Sequence, residues 1–200
     1  MRLQELVKDY QYTLLKGSLD LEVTGISNDS RKVKVGGLFV AERGFTVDGH
    51  DYIGNAIDNG AIAVVIDKDM DIEEDITVIK VEDSVDALAR FSSVFYDEAW
   101  KHIELIGVTG TNGKTSTTYF IKSILEEYNK KVGIIGTIGA LIEDEKVDIV
   151  NTTPNSLMIH CLLKQMVDKG LDFCIMEVSS HALELKRVNH MGFQTGIFTN

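Results

Sequence analysis

Residues able to hold a phosphate stand together in one short run, Gly107-Val108-Thr109-Gly110-Thr111-Asn112-Gly113-Lys114-Thr115-Ser116. The run follows an apolar stretch with strand character, Ile103 to Val108, and leads into a stretch with helical spacing. In that context successive backbone N–H groups and a helix N-terminus converge on one spot and favour an anion there. Gly110 and Gly113 permit the tight curve and keep side chains out of the way. Lys114 can place its ammonium at the β- and γ-phosphates of a nucleotide, and Thr115 can offer its hydroxyl to Mg²⁺. The expected nucleotide-contacting positions are therefore Gly110, Thr111, Asn112, Gly113, Lys114, Thr115 and Ser116. The spacing departs from the standard pattern at one place. The glycine wanted five residues before Gly113 stands one position early, at Gly107, and Val108 takes its place. A glycine-rich turn without a ligand is the plain alternative, and the agreement of strand, glycines, lysine and threonine argues against it.

Three further segments carry groups suited to chemistry. In Met176-Glu177-Val178-Ser179-Ser180-His181-Ala182-Leu183 a carboxylate follows a strongly apolar run. A buried carboxylate needs a partner or a metal, and Mg²⁺ between Thr115 and Glu177 would supply one. The competing reading is a solvated residue at a strand end. Ser179 and Ser180 are donors to an anionic ligand or caps for the next helix. His181 reads equally as a substrate contact or as a packed histidine. Asn151-Thr152-Thr153-Pro154 precedes another helix and offers Asn151, Thr152 and Thr153 to an anion, or else serves as an N-cap signal. Arg187 is a cation in an acidic chain, suited to a carboxylate or phosphate or simply to solvent.

The elements that must position these groups divide at about residue 100, giving regions 1–100 and 101–200. In the first, Leu3, Leu6 and Val7 predict a short helix, and Ile26 to Val35 reads as a polar turn. Leu38 to Ala41 predicts a short strand, and Tyr52 to Ile57 a helix stopped by Gly60. Ala61 to Ile66 reads as a buried strand, Asp67 to Asp75 as a solvated acidic turn, Ile76 to Val81 as a strand, and Val85 to Phe95 as a helix. In the second, strands are expected at Ile103–Val108, Val132–Ile135 and Phe173–Val178, with another starting at Thr195–Phe198. Helices are expected from Lys114 to Tyr128 and from Leu157 to Val167. The first of these carries Phe120, Ile121, Ile124, Leu125 and Tyr128 as one apolar stripe. Ile138 to Val150 reads as a hairpin or a long loop. The fold class is thus α/β: a small N-terminal α/β domain followed by the first part of a parallel-sheet ATPase domain with helices on both faces.

Composition narrows the function classes. With 20 Lys+Arg against 31 Asp+Glu among 200 residues, the net charge is -11, which excludes a protein that coats a nucleic-acid backbone. A 44% hydrophobic content supports a real core. Cys161 and Cys174, the only two cysteines, sit in apolar stretches and read as buried thiols in a reducing compartment. The N-terminus carries charges where a signal peptide needs an apolar run, and no stretch is apolar enough to span a membrane. A cytoplasmic protein, monomeric, is the expectation.

Taken together, GVTGTNGKTSTT (107–118), NTTP (151–154), MEVSSHAL (176–183) and GIFTN (196–200) resemble the Mur ligases. Asp29-Ser30-Arg31, GGLFVAERG (36–44), Asp48-Gly49 and Gly60-Ala61 extend the resemblance over the whole chain. It implies an N-terminal domain holding the uridine end of the substrate, through Asn28, Ser30 and Arg31, and a central domain that holds ATP and catalyses. Within the latter it implies Lys114 on the ATP phosphates and Thr115 and Glu177 on Mg²⁺. Asn151, Thr152, Thr153, Ser179 and Arg187 are implied contacts to a UDP-N-acetylmuramoyl-dipeptide. The implied reaction is ATP-dependent amide ligation in peptidoglycan synthesis, joining a diamino acid, meso-diaminopimelate or L-lysine, to UDP-N-acetylmuramoyl-L-Ala-D-Glu. The carboxylate is first activated as an acyl phosphate and the amine then attacks it. The family's third domain, a histidine beyond the FTN segment and a carbamylated lysine have no counterpart up to Asn200. The expectation is therefore a fragment with an incomplete central domain and little activity by itself. A module that binds the nucleotide sugar without catalysing, and a folylpolyglutamate-type ligase, stay open as alternatives.

Overall fold

A computed structural model describes residues 1–44 and 47–200. Its contacts divide the chain into two units, Met1–Phe95 and Tyr96–Asn200. The division falls a few residues before the sequence-based one because Ala99 is buried with Ile103 and Leu105 in the core of the second unit, and Trp100 packs against them.

The first unit opens with helix α1 (Leu3–Val7), which buries the three apolar residues that predict it. Strands β1 (Thr13–Lys16), β2 (Gly25–Ser27), β3 (Gly37–Val40), β4 (Ala61–Ile66) and β5 (Thr77–Lys80) form one sheet in the order β1-β5-β4-β3-β2. Strands β2 to β5 are parallel and β1 runs antiparallel at the edge. Helix α2 (Ile53–Asp58) follows β3, and α3 (Ser84–Phe95) follows β5. The polar stretch Ile26–Val35 is therefore not all turn: it contains the end of β2 and a single 3₁₀ turn, Ser30–Lys32.

The acidic run Asp67–Asp75 also departs from expectation at its first residue. Asp67 is partly buried, pairs with Arg43 at 3.0 Å and accepts the Ser84 hydroxyl at 2.8 Å. Its backbone N–H donates to His50 Nε2 at 3.3 Å, so the His50 proton sits on Nδ1 and is given to Asp48 at 2.6 Å. Asp48 also accepts from Lys68 at 2.6 Å, and that bond is the main reason its carboxyl is held well below the usual carboxylate range.

The second unit contains β6 (Glu104–Thr109), α4 (Lys114–Glu127), β7 (Val132–Gly136), β8 (Gly139–Ile142), β9 (Glu145–Val147), α5 (Ser156–Asp168), β10 (Phe173–Glu177), α6 (Ser180–Glu184) and β11 (Thr195–Phe198). The sheet order is β11-β6-β10-β7-β8-β9. Strands β11, β6, β10 and β7 are parallel. The β8–β9 hairpin, which resolves the hairpin-or-loop alternative, adds two antiparallel strands. Alternation along β10 sorts its side chains to two cores. Cys174 and Met176 pack with Ile159, Leu162, Leu163 and Met166 of α5. Ile175 packs with Val108, Val132 and the α4 residues Ile121 and Leu125. Helices thus cover both faces.

The α4 stripe is narrower than the sequence suggests. Ile121 and Leu125 reach the sheet, whereas Phe120, Ile124 and Tyr128 are exposed, Phe120 by 70%.

The two cysteines differ as well. Cys174 is fully buried and its thiol is pushed up to about 12 by that burial. Cys161 is only half-buried, contrary to its sequence reading, because it lies on the rim of α5 rather than on its core face. Iodoacetamide should therefore modify Cys161 in the native protein and Cys174 only after unfolding. Mass spectrometry of the labelled peptides checks this; equal native labelling would contradict the burial.

Candidate active site

The phosphate-loop candidate spans the gap between the C-terminal end of β6 at Thr109 and the start of α4 at Lys114. In an open parallel sheet this edge is where ligands bind. Helix α5 is capped by the Asn155 side chain and α6 by Ser179, but α4 starts at Gly113 (φ 83°) with no side-chain cap. The first-turn amides of a 14-residue helix are thereby left to a ligand. Gly110 has φ 131°, and a Cβ there would stand 2.2 Å from Thr199 Oγ1, so the position demands glycine on two counts. Gly107, the glycine out of place, has a different reason: a Cβ would meet the Phe193 ring at 3.0 Å. Val108 is fully buried in the α4-side core.

Lys114 Nζ donates to the Gly110 carbonyl at 2.7 Å and to the Thr111 carbonyl at 3.3 Å, which keeps the ammonium at the loop. The end of β11 also binds the loop. Asn200 accepts from the Thr111 N–H (3.2 Å) and, through Oδ1, from the Asn112 N–H (2.8 Å). Thr199 Oγ1 lies 2.6 Å from the Asn112 carbonyl. Two backbone N–H groups of the loop thus bond to Asn200.

Glu177 is the last residue of β10, and only 1% of its surface is exposed. The structure brings it to Thr115, whose hydroxyl donates to Oε2 at 3.0 Å. Thr137, at the end of β7, donates its N–H to Oε1 and its hydroxyl to Oε2, both at 3.0 Å. These three donors are uncharged. The solvated strand-end reading of Glu177 is excluded by its burial. The strand β7 comes so close that a Cβ on Gly136 would stand 2.3 Å from Glu177 Oε1. Gly136→Ala should therefore push the carboxylate off its donors and cost on the order of 1–3 kcal/mol of stability. Urea unfolding measures it; an unchanged midpoint would contradict the packing.

The oxygen set of Thr115 and Glu177 fits Mg²⁺. It is hard, anionic and small, and Mg²⁺ typically takes one or two protein ligands and completes its shell with water and substrate phosphate. Among the described residues no group of three or more His, Cys, Asp and Glu could form an all-protein cage.

The Asn151–Pro154 segment lies beside Glu177. Thr152 Oγ1 is 3.1 Å from Thr137 Oγ1. Thr153 is buried, with its hydroxyl donating to the Glu177 carbonyl at 2.8 Å and accepting the Ser179 N–H at 3.2 Å. Arg187 donates to the Thr153 carbonyl at 2.7 Å. Thr153 and Arg187 thus brace the segment, while Asn151 is exposed and Thr152 half-exposed. Ser179 caps α6 by accepting the Ala182 N–H at 3.2 Å. His181 is exposed on α6, which removes the packed-histidine reading.

The remaining predicted residues belong to the first unit. Asn28 and Ser30 flank Asp29 just past the C-terminal end of β2. Asn28 donates to Glu42 at 2.6 Å. Ser30 is buried. Arg31 is 85% exposed and forks onto Asp29, with Nε and Nη2 each 2.9 Å from a carboxylate oxygen. That side-chain hydrogen bond chiefly holds Asp29 below the usual carboxylate range.

Sequence reasoning missed Thr137, and it placed Thr199 and Asn200 in the GIFTN motif without giving them a part at the loop. Thr137 follows a strand of the parallel sheet at the same edge as Lys114 and Glu177, and that position was its available signal.

Comparison with known proteins bears on the family and the fold. Residues 108–200 match the family described as Mur ligase middle domain, and residues 22–96 match the Mur ligase family, catalytic domain. The chain is 48% identical over 200 residues to the UDP-N-acetylmuramoyl-L-alanyl-D-glutamate--2,6-diaminopimelate ligase of Clostridium perfringens, covering 100% of this chain and 41% of that protein. It is 48% identical over 203 residues to the enzyme of the same name from Clostridium tetani, covering 100% and 42%. A solved structure of a UDP-N-acetylmuramoyl-L-alanyl-D-glutamate--2,6-diaminopimelate ligase superposes with a TM-score of 0.79 at 23% identity, over 100% of this chain and 40% of that one, and shows the fold. The chain spans about two-fifths of the length of these relatives.

Proposed function

The chain belongs to the Mur ligase family, and from that premise we propose that it serves an ATP-dependent amide ligase. Its substrates would be UDP-N-acetylmuramoyl-L-alanyl-D-glutamate and diaminopimelate. The choice of diaminopimelate over lysine, which the sequence leaves open, rests on the names of the relatives. In this reading residues 1–100 hold the UDP-sugar, with Asn28, Ser30 and Arg31 near its uridine end. Residues 101–200 hold ATP. The observation that carries the reading is the Thr115 hydroxyl 3.0 Å from buried Glu177, next to an uncapped helix that begins in a glycine loop.

The chemical problem is that a carboxylate is a poor electrophile and that two anions must approach each other. When bound, Mg²⁺ would neutralise charge on the transferring phosphoryl group. Thr115 and Glu177 would hold it. Lys114 would leave the Gly110 and Thr111 carbonyls for the phosphate oxygens, and the first-turn amides of α4 would take the rest of the charge. Asn151 and Ser179, and Thr152 on turning its hydroxyl away from Thr137, would offer the donors for the substrate's anionic groups, braced by Thr153 and Arg187.

The test is ADP release, in the presence of Mg²⁺ and ATP, by a full-length ligase that carries this chain. It should require both the UDP-sugar dipeptide and diaminopimelate, and it should yield the tripeptide product. Binding of the nucleotide sugar with no ATP binding would favour the non-catalytic module. Turnover with a folate substrate would favour the folylpolyglutamate-type alternative.

A further inference from the structure

Thr137 makes more contacts to the Glu177 carboxylate than Thr115 does, and the reading above gives it no part. It is the residue that follows β7, beside β10 in the sheet. Its N–H reaches Oε1 and its hydroxyl Oε2, so it holds both carboxylate oxygens. Its hydroxyl is also 3.1 Å from that of Thr152. The direction of this second bond follows from proton counting. An ionised carboxylate only accepts, so Thr137 spends its one hydroxyl proton on Glu177. Thr152 must then be the donor to Thr137. The result is a directed chain, Thr152 to Thr137 to Glu177, between the Asn151–Pro154 segment and the carboxylate.

We propose that Thr137 is a positioning residue. It locks the rotation of the Glu177 carboxylate for a divalent cation and ties that carboxylate to Thr152 in the substrate-side segment. This rests on the reading of Glu177 as a magnesium ligand. A lysine or arginine in the place of Thr137 would fix the carboxylate equally well but would cancel the charge the cation needs. A threonine fixes it with neutral donors and leaves the charge in place. The bond to Thr152 means that a ligand which reorients Thr152 also alters the support of Glu177, so cation and substrate-side binding are coupled.

The test is Thr137→Val, which keeps the N–H, the branching and nearly the volume and removes only the hydroxyl. Calorimetric titration of ADP across a series of Mg²⁺ concentrations reads the cation requirement without any turnover. The Mg²⁺ concentration for half-maximal ADP affinity should rise by about ten-fold in Thr137→Val, the usual worth of a hydrogen bond to a charged group. It should return towards the original in Thr137→Ser, and circular dichroism of both variants should match the parent. In the ligase assay the effect of Thr152→Val on the KM for the UDP-sugar dipeptide should be smaller in the Thr137→Val background than in the parent. An unshifted Mg²⁺ requirement in Thr137→Val would overturn the proposal, as would a shift that Thr137→Ser fails to restore. Glu177→Ala separates the two levels. If it too leaves the Mg²⁺ requirement unchanged, the magnesium reading of the site has failed. If it shifts the requirement and Thr137→Val does not, only the role of Thr137 has.

Discussion

Replacing Lys114 with methionine should lower ATP-dependent turnover on the order of 10³-fold and leave the fold intact. The unbranched side chain is kept to within one atom of its length and loses its charge and donors. In the structure those donors go to the Gly110 and Thr111 carbonyls, 2.7 and 3.3 Å away. These contacts are local and partly exposed, so their loss costs little stability. In the reaction the same ammonium would face charge developing on the transferring phosphoryl group, where a single well-placed donor is worth several kcal/mol. The contrast between small structural and large kinetic effects is the signature of a phosphate-binding lysine. Thermal unfolding alongside single-turnover ADP release measures both. Turnover within a few-fold of the parent would remove Lys114 from the phosphate site.

Glu177→Ala should raise the Mg²⁺ requirement by at least about 100-fold, since it takes away the anionic ligand of the proposed cation. Its stability effect should run against the usual expectation for a buried residue. A carboxylate buried among the Thr115 and Thr137 hydroxyls and one backbone N–H has no positive partner in that set. Burying a charge in this way is costly, and the cost is offset only when a cation arrives. Removing it lifts that cost but strips the Thr137 N–H and the two hydroxyls of their acceptor, so the metal-free protein should lose less stability than an ordinary buried truncation costs, and the stabilisation that Mg²⁺ with nucleotide gives the parent should be abolished. Melting curves with and without Mg²⁺ and ADP distinguish the two. A mutant still stabilised by the pair to the parental extent would show that Glu177 is not the ligand.

The parts of the site legible in the sequence were those written in consecutive residues. The loop from Gly110 to Ser116, flanked by a strand and a helix, lies where the motif puts it. The placing of Glu177 at the end of a buried strand followed from the apolar run before it. What the sequence concealed depends on chain segments far apart. Asn200 accepts from the Thr111 and Asn112 amides, and Thr137 reaches Glu177 from the neighbouring strand; no local pattern encodes either contact. Thr153 and Arg187 looked like open donors because their residue types suit anions, whereas their partners, the Glu177 and Thr153 carbonyls, are supplied by tertiary packing.

The fold shows the same division. Continuous apolar runs such as Ala61–Ile66 identify central parallel strands, since both faces are covered. Strand β1 escaped notice because it is an exposed antiparallel edge, with Leu14 and Leu15 both partly in solvent and a register break beside Lys16. On α4 the apolar residues outnumber those that can touch the sheet. Periodicity locates the helix there, while only the structure separates Ile121 and Leu125 from Phe120, Ile124 and Tyr128.

The Gly110–Ser116 loop, with Lys114, Thr115 and Glu177, is proposed as a magnesium-nucleotide site. Calorimetric titration of ADP into this 200-residue chain, first with Mg²⁺ and then with excess chelator, tests it most directly. Binding should be saturable at one site per chain, weakened by about ten-fold or more when Mg²⁺ is removed and lost in Lys114→Met. No binding by the folded parent, or binding that Lys114→Met leaves unchanged, would contradict it.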